Sequence, residues 1–270
     1  MLKTNCVVIP CADTKGLESK QLLEDLLNSL KDFVGTIICC MDGCAESFNY
    51  YFQEIYKGNP NIIYLINEGN RLGFAANSNK GLRYAFKTLE AERVMLCNMD
   101  CILPSWVYLK PLFMNEGLVS ATSVEESFYK DQGLDLNGLN QSVDDGPGLE
   151  YNLVEKFAGY CWVIHKNVVE KIGYLDERYK SSFEDDDYIL RTHIAGFPVG
   201  ALDVYVNHKG SHIDQKVLGG SMTGAYNDEM LMLNLQKYYW KYQIPGDIPH
   251  DKAITWAKEN HEWQDIMYEE

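Results

Sequence analysis

Four carboxylates stand in consecutive positions in Phe183-Glu184-Asp185-Asp186-Asp187. Like charges this close repel, and any that lose water should hold their protons more tightly than usual. A helix start partly offsets the repulsion. Such a run reads either as a solvated acidic helix start or as one general base with neighbours that orient it, ready to deprotonate an attacking hydroxyl. Asp100 closes the apolar run Leu96-Cys97-Asn98-Met99-Asp100. There it is either a turn or N-cap residue before Pro104, or a hard oxygen ligand for Mg²⁺ or Mn²⁺ between two phosphates. His208, in Val206-Asn207-His208-Lys209-Gly210-Ser211, follows another apolar run. It is either structural or a metal ligand. Lys209, His212 and Lys216 are near enough in sequence to touch phosphate, or are plain loop charges. In Asn70-Arg71-Leu72-Gly73-Phe74, Gly73 allows close backbone approach to a ligand, and a helix start after it favours anions. The segment is neither a P-loop nor GxGxxG.

The elements that must position these residues show in the periodicity. Asn5 to Pro10, Thr36 to Met41, Asn61 to Ile66 and Arg93 to Cys97 read as buried strands. Between them, Leu22, Leu23, Leu26, Leu27 and Leu30, then Phe48, Tyr51, Phe52 and Ile55, then Phe74 to Phe86, recur at helical spacing. This order predicts an α/β fold with a mostly parallel sheet and helices on both faces. Ligands bind such sheets beyond the carboxyl ends of the strands. Three polar clusters fall there: Cys11 to Lys15, Asp42-Gly43 and Asn98 to Asp100.

From Val124 to Asn152 the pattern dissolves into Gly, Pro and acidic residues, which predicts a long loop or insertion. Phe157 to His165 is apolar, and the acidic run opens a helix ending near Gly196. Val199 to Val206 reads as a strand and His208 to Gly224 as a mobile stretch, of which residues 208–223 are expected to close over a bound donor ligand. A helix spans Ala225 to Tyr242, and the tail from Asp247 holds one more. The aromatic helix end packs on the core or on a second copy, which leaves a homodimer possible.

Twenty-four Lys and Arg against 39 Asp and Glu give a net charge of −15. The mean field opposes nucleic acid and anionic membranes without excluding them. An apolar share of 46% is ordinary for a folded domain. No stretch approaches the length needed to span a bilayer, and Met1 to Pro10 is too short an apolar run for a signal peptide. A soluble, cytoplasmic protein is expected. The eight cysteines form no CxxC pair and are expected to be buried, reduced thiols.

Taken in order, these segments resemble the family 2 glycosyltransferases of the GT-A (nucleotide-diphospho-sugar transferase) fold, and most of all their rhamnosyltransferase-like members. Val7-Val8-Ile9-Pro10 resembles the opening strand, Met41-Asp42-Gly43 the DDGS segment, and Leu72-Gly73-Phe74-Ala75 with Asn79-Lys80-Gly81 the GF(A/G)…NxG helix start. Asn98-Met99-Asp100 stands where the family has DxD or NPD. Gly159-Tyr160 through Gly173-Tyr174-Leu175-Asp176-Glu177-Arg178 is similar to G…GxFDERF, Glu184 to Arg191 to EDxDxxxR, and His208-Lys209-Gly210-Ser211 to HxGxS.

The resemblance implies a GT-A domain over residues 1–242, with a nucleotide-binding half (1–100), an acceptor and metal half (101–223) and a C-terminal helix (224–242), followed by a helical tail (243–270). It implies that Asp42 binds the base, that Pro10 and Ala12 line the nucleotide pocket with Arg71, Gly73 and Asn98, and that Asp100 and His208 hold a divalent metal. It makes Asp185 the catalytic base, Glu184 its neighbour at the acceptor site, and Arg191 a brace for the acidic loop. The implied reaction is metal-assisted transfer with inversion from a UDP-, dTDP- or GDP-linked sugar to a hydroxyl of a glycan or another acceptor. The sequence departs from the family at Asn98, which replaces the first DxD acid, at Arg71, where many members have Asn, and at Cys44, which replaces Ser. Two other readings are a sugar-nucleotide nucleotidyltransferase and a non-catalytic nucleotide-sugar-binding relative. Cys11-Ala12-Asp13-Thr14-Lys15-Gly16 is a poor version of the loop the first requires, and the Glu184-Asp185 pair counts against the second.

Overall fold

A computed structural model describes residues 5–14, 16–31, 34–103, 118–123, 151–180, 182–208 and 225–262. Strand and helix alternate first: β1 (Asn5–Cys11), α1 (Leu17–Leu30), β2 (Thr36–Asp42), α2 (Glu46–Ile55), β3 (Ile62–Asn67), α3 (Phe74–Arg83) and β4 (Arg93–Cys97). The helix expected over Phe74 to Phe86 does not stay α-helical. It passes into a π-helical turn at Tyr84–Thr88, a form that is rare outside single turns of this kind. There follow β5 (Cys101–Ile102), β6 (Leu118–Ser123), β7 (Tyr151–Leu153), β8 (Cys161–His165), α4 (Lys166–Ile172), α5 (Glu184–Ile194), β9 (Val199–His208), α6 (Ala225–Lys241) and α7 (His250–Asn260). The segment expected to be irregular over 124–152 lies outside the described residues except for its end, which is the start of β7. The closing stretch expected at 208–223 also lies outside them, apart from His208 at the end of β9.

Among the described residues the strands form one sheet in the order β3-β2-β1-β4-β8-β6-β9-β5, with β7 on β9. Pairing is parallel from β3 to β4. β8 runs antiparallel to both β4 and β6, and β6 pairs in parallel with β9. Alternation along β1 divides the core. Val7, Ile9 and Cys11 pack with the leucines of α1 and with Phe48 and Phe52 of α2. Cys6 and Val8 face the other way, into a cluster with Leu82 of α3, Val168 of α4, Ile189 of α5, Tyr238 of α6 and Ile254 of α7. Helices therefore cover both faces. Each fully buried leucine of the α1 stripe contributes about 1.5–3 kcal/mol. The tail, expected outside the main domain, supplies Ala253, Ile254 and Ala257 to this same core.

β1 continues through Pro10 to Cys11, one residue past the expected end. Its ladder with β2 runs to Cys11↔Met41, but its ladder with β4 stops at Val8↔Leu96. Pro10, which has no N–H to donate, sits where one neighbour has already left. The parting of β1 and β4 opens the crevice. All eight cysteines are buried thiols, and burial pushes Cys6 up to about 12 and Cys44 up to about 11. No helix among the described residues is long and apolar enough to cross a membrane.

Candidate active site

Beyond the carboxyl ends of the parallel strands lies a cleft of about 560 Å³. Pro10, Ala12, Asp42, Arg71, Gly73, Asn98, Asp100, Glu184, Asp185 and His208 all line it. Residues almost 200 positions apart in sequence thus share one cavity.

At the end formed by β1, β2 and α3, Asp42 is held by the protein itself. Its Oδ1 accepts from Asn67 Nδ2 at 2.8 Å and from the Leu72 N–H at 3.0 Å, and its Oδ2 accepts from the Gly73 N–H at 3.2 Å. The carboxylate expected to bind a base also fixes the loop that leads into α3. Arg71 crosses this loop and donates from Nη2 to the Asp13 carbonyl at 2.8 Å. Gly73 has φ +92°, and a Cβ there would lie 2.9 Å from the Lys180 carbonyl. The same carbonyl accepts from the Phe74 N–H at 2.9 Å. The close approach that Gly73 permits is therefore first to the protein's own backbone, and it ties the start of α3 to the loop before α5.

In the middle of the cleft, Asn98 to Cys101 forms a turn closed by the Cys101 N–H donating to the Asn98 carbonyl at 3.1 Å. β5 then pairs with β9 so that Cys101 stands opposite His208. This rung brings Asp100 beside the imidazole: Oδ1 and Nε2 are 3.3 Å apart. The Tyr160 ring stacks on His208 with centroids 4.6 Å apart and planes inclined by 14°, fixing its orientation. His208 Nε2 and Asn98 Oδ1 are buried atoms that make no hydrogen bond in the described structure. A buried polar atom of this kind needs a partner. One carboxylate, one imidazole and one amide oxygen fit a divalent cation such as Mn²⁺.

At the far wall α5 presents its first turn. Ser182 and Phe183 hold left-handed backbone, at φ 69° and 71°, at a cost of about 1–3 kcal/mol each for non-glycine residues. Phe183 turns into the core, and Glu184, Asp185 and Asp186 line the cleft. Asp185 Oδ2 accepts from the Gly159 N–H at 2.8 Å. Burial raises the Asp185 carboxyl above its ordinary value, against the pull of the Gly159 and Asp186 N–H groups. Burial, and then the neighbouring Asp185 charge, push Asp186 up to about 7. Asp187 turns inward instead. It accepts from Arg191 Nε at 2.9 Å and from the Tyr242 hydroxyl at 2.8 Å, and it pairs with Lys241. Arg191 also donates to the Ile172 and Tyr174 carbonyls at 2.7 and 2.9 Å. It braces the loop before α5 from one helical turn below the acidic run.

Several cleft residues carried no assigned role in the sequence reading. Gly159 opens a segment that the sequence does mark, but its task shows only in the structure, where a Cβ there would lie 2.6 Å from the Asp185 Cβ. Tyr160 follows it. Lys180, His250, Leu231 and Met232 also line the cleft, and nothing in their local sequence marks them.

No family model matches the chain. The "Low-salt glycan biosynthesis hexosyltransferase Agl10" of Haloferax volcanii is 26% identical over 172 residues, covering 57% of this chain and 53% of the relative. The chain thus spans about half the length of that curated relative. Among solved structures, the mannosyltransferase PcManGT from Pyrobaculum calidifontis, in complex with GDP-Man and Mn²⁺, superposes with a TM-score of 0.63 at 14% identity, over 95% of this chain and 69% of that one. TarS 1-349 of S. aureus in complex with UDP gives 0.53 at 16% identity, over 93% and 77%. GalNAc-T7 with UDP, GalNAc and Mn²⁺ gives 0.56 at 11% identity, over 98% and 56%. At these identities the structural likeness is one of fold. These relatives are associated with different sugars, mannose and GalNAc among them, and single out no rhamnosyltransferase-like subgroup.

Proposed function

We propose that this chain, which has the GT-A fold of the glycosyltransferases, transfers a sugar from a nucleoside diphosphate donor to an acceptor hydroxyl, with inversion and with the help of a divalent metal. The observation that carries the reading is the single cleft in which Asp42, Asp100, His208 and Asp185 meet. The structural relatives support it, since they pair this fold with GDP-Man or UDP and, in two cases, with Mn²⁺.

In this reading the nucleoside lies over the ends of β1 and β2, between Pro10, Ala12 and the Asp42–Gly73 loop, within the half formed by residues 1–100. Arg71 lies at the edge of that pocket and is placed for a phosphate oxygen. Asp100 and His208, with Asn98 beside them, hold the metal. Mn²⁺ or Mg²⁺ bound there would offset the negative charge that develops on the departing diphosphate.

Asp185 takes the proton of the acceptor hydroxyl as that oxygen attacks the anomeric carbon. The carbon–oxygen bond to the diphosphate breaks as the new one forms on the opposite face. Burial suits Asp185 to the task, because a base is most effective when its pKa lies closer to the working pH than that of an ordinary carboxylate. The Gly159 N–H holds one oxygen of the base, so it meets the acceptor in one orientation. Glu184 shapes the wall beside it.

Asp185→Asn tests the assignment. Transfer should fall about a hundred- to ten-thousandfold, with the calorimetric affinity for the nucleotide-sugar unchanged. Wild-type turnover in that variant refutes Asp185 as the base.

A further inference from the structure

Two cleft residues have no task in the proposed transfer. Asp186 follows the proposed base on α5, and His250 opens α7 in the tail. Asp186 Oδ2 and His250 Nε2 are 3.9 Å apart, with side chains 21% and 38% exposed. That gap is too long for a direct hydrogen bond, but it leaves both atoms within reach of one hydroxyl oxygen placed between them. The His250 ring is steadied by Phe183, at 5.1 Å between centroids, and by Tyr238 at 6.3 Å. Leu231 and Met232 of α6 line the same cleft, and they are 42% and 50% exposed although apolar.

An accessible carboxylate and imidazole beside an apolar ledge match the two faces of a pyranose. Its hydroxyls need directed partners, and its C–H face loses unfavourable contact with water when it packs on apolar atoms. Charge narrows the class. Glu184, Asp185 and Asp186 stand at this end of the cleft against Lys180 in its lining and the nearby charge of Lys156, so carboxylates outnumber cations and an anionic group would meet net repulsion there. We propose that Asp186, His250, Leu231 and Met232 form the acceptor subsite, and that the acceptor is an uncharged sugar ring. One of its hydroxyls is held between Asp186 and His250, and another is presented to Asp185. This rests on the transfer proposed above.

The test uses the full chain with Mn²⁺ and whichever of UDP-glucose, UDP-N-acetylglucosamine or GDP-mannose binds in calorimetry. Release of nucleoside diphosphate is followed in water, then with methyl glucoside, galactoside or mannoside, and with methyl glucuronide as the anionic probe. A neutral glycoside should raise release above the background with water in the wild type. Asp186→Asn and His250→Gln should each raise the KM for that glycoside about tenfold, the loss expected for one hydrogen bond to a charged or buried group. Background release and donor affinity should stay within about twofold of wild type, a difference well under that of one such bond. Because the two residues lie on different elements, a folding defect in one variant leaves the other as the readout. An unchanged KM in both variants, or a glucuronide used as well as the neutral sugars, overturns the proposal. So does a wild type that hydrolyses its donor but responds to no glycoside. A wild type that binds no nucleotide-sugar sinks the transferase reading itself, which is a separate result.

Discussion

The proposed base and the residue that contacts it differ in how plainly the sequence announces them. The place of Asp185 in the cleft is legible because an acidic run at the start of a helix is uncommon enough to question. Gly159 acts through the absence of a side chain, and only three-dimensional structure shows what that space is for. Its backbone N–H donates to Asp185 Oδ2, and a Cβ would come within 2.8 Å of the same oxygen. Gly159→Ala should therefore displace the base without touching the nucleotide. Since a misplacement of about 1 Å costs about a hundredfold, the kcat of this variant should drop on that scale while donor affinity holds. Equal kcat in wild type and variant would show that the Gly159 contact does not orient the base. Asp42 shows the opposite limit. Its position at a strand end marks it from the sequence, but the three donors that occupy it come from Asn67, Leu72 and Gly73, a contact set that no spacing rule reveals.

Helix α5 does two jobs with one acidic turn. Three carboxylates face the cleft and the fourth, Asp187, is fully buried with Arg191, Lys241 and Tyr242. Helical periodicity in the sequence shows where the element starts and ends, but it does not say which of four adjacent acids turns inward, because the choice is made by α6. Asp187→Ala should destabilise the fold by about 3–5 kcal/mol, since it strands buried positive charge. A urea melt reads this directly, and a loss under about 1 kcal/mol would mean that the cluster relaxes or hydrates. Asp185 and Asp186 both hold their protons more tightly than an ordinary carboxylate, chiefly through burial. Asp186 has a pKa of about 7 in the folded chain, against about 4 in an unfolded one. Between those values the unfolded chain gives up the proton first, so this group costs stability as pH rises through the window, and the cost levels off above about 7. Asp186→Asn should remove it. The stability of the variant relative to wild type should climb from pH 4 to 7 and then stay flat, a trend that melts at several pH values would reveal or refute. Asp176 runs the other way. Burial alone would raise it, but Arg178 and Lys241 outweigh burial and hold it well below the usual carboxylate range. Its contribution is therefore present at neutral pH and fades only in strong acid.

Over the whole molecule, the first four parallel strands and their helices are legible because each βαβ unit is local, and its hydrophobic period changes within about 30 residues. The second half is less so. β8 runs antiparallel in the middle of the sheet, and β6, β7 and β9 pair across long separations, which no local pattern encodes. The tail helix looks peripheral in sequence, but it closes the core and lends His250 to the cleft. Because the proposed donor touches both halves, its binding should stabilise the domain as one unit. UDP or GDP with Mn²⁺, at a hundred times the dissociation constant, should add about 2.7 kcal/mol and raise Tm accordingly. Asp100→Ala should lose the part of that rise that depends on Mn²⁺, and an identical rise in the variant would argue against a metal held at Asp100.

The proposed grip on a cation rests on very little masonry. Asp100 and His208 are neighbours only because a two-residue strand lies along the last rungs of a ten-residue one, joining Cys101 to His208 and Ile102 to Asn207. A polypeptide that stops at the fourth strand has neither of these two side chains, and one that stops before the ninth has Asp100 without its imidazole partner. In the proposed transfer, a chain clipped before the ninth strand should therefore bind no Mn²⁺ at Asp100, since the partner that completes the pair arrives only with the later part of the sheet.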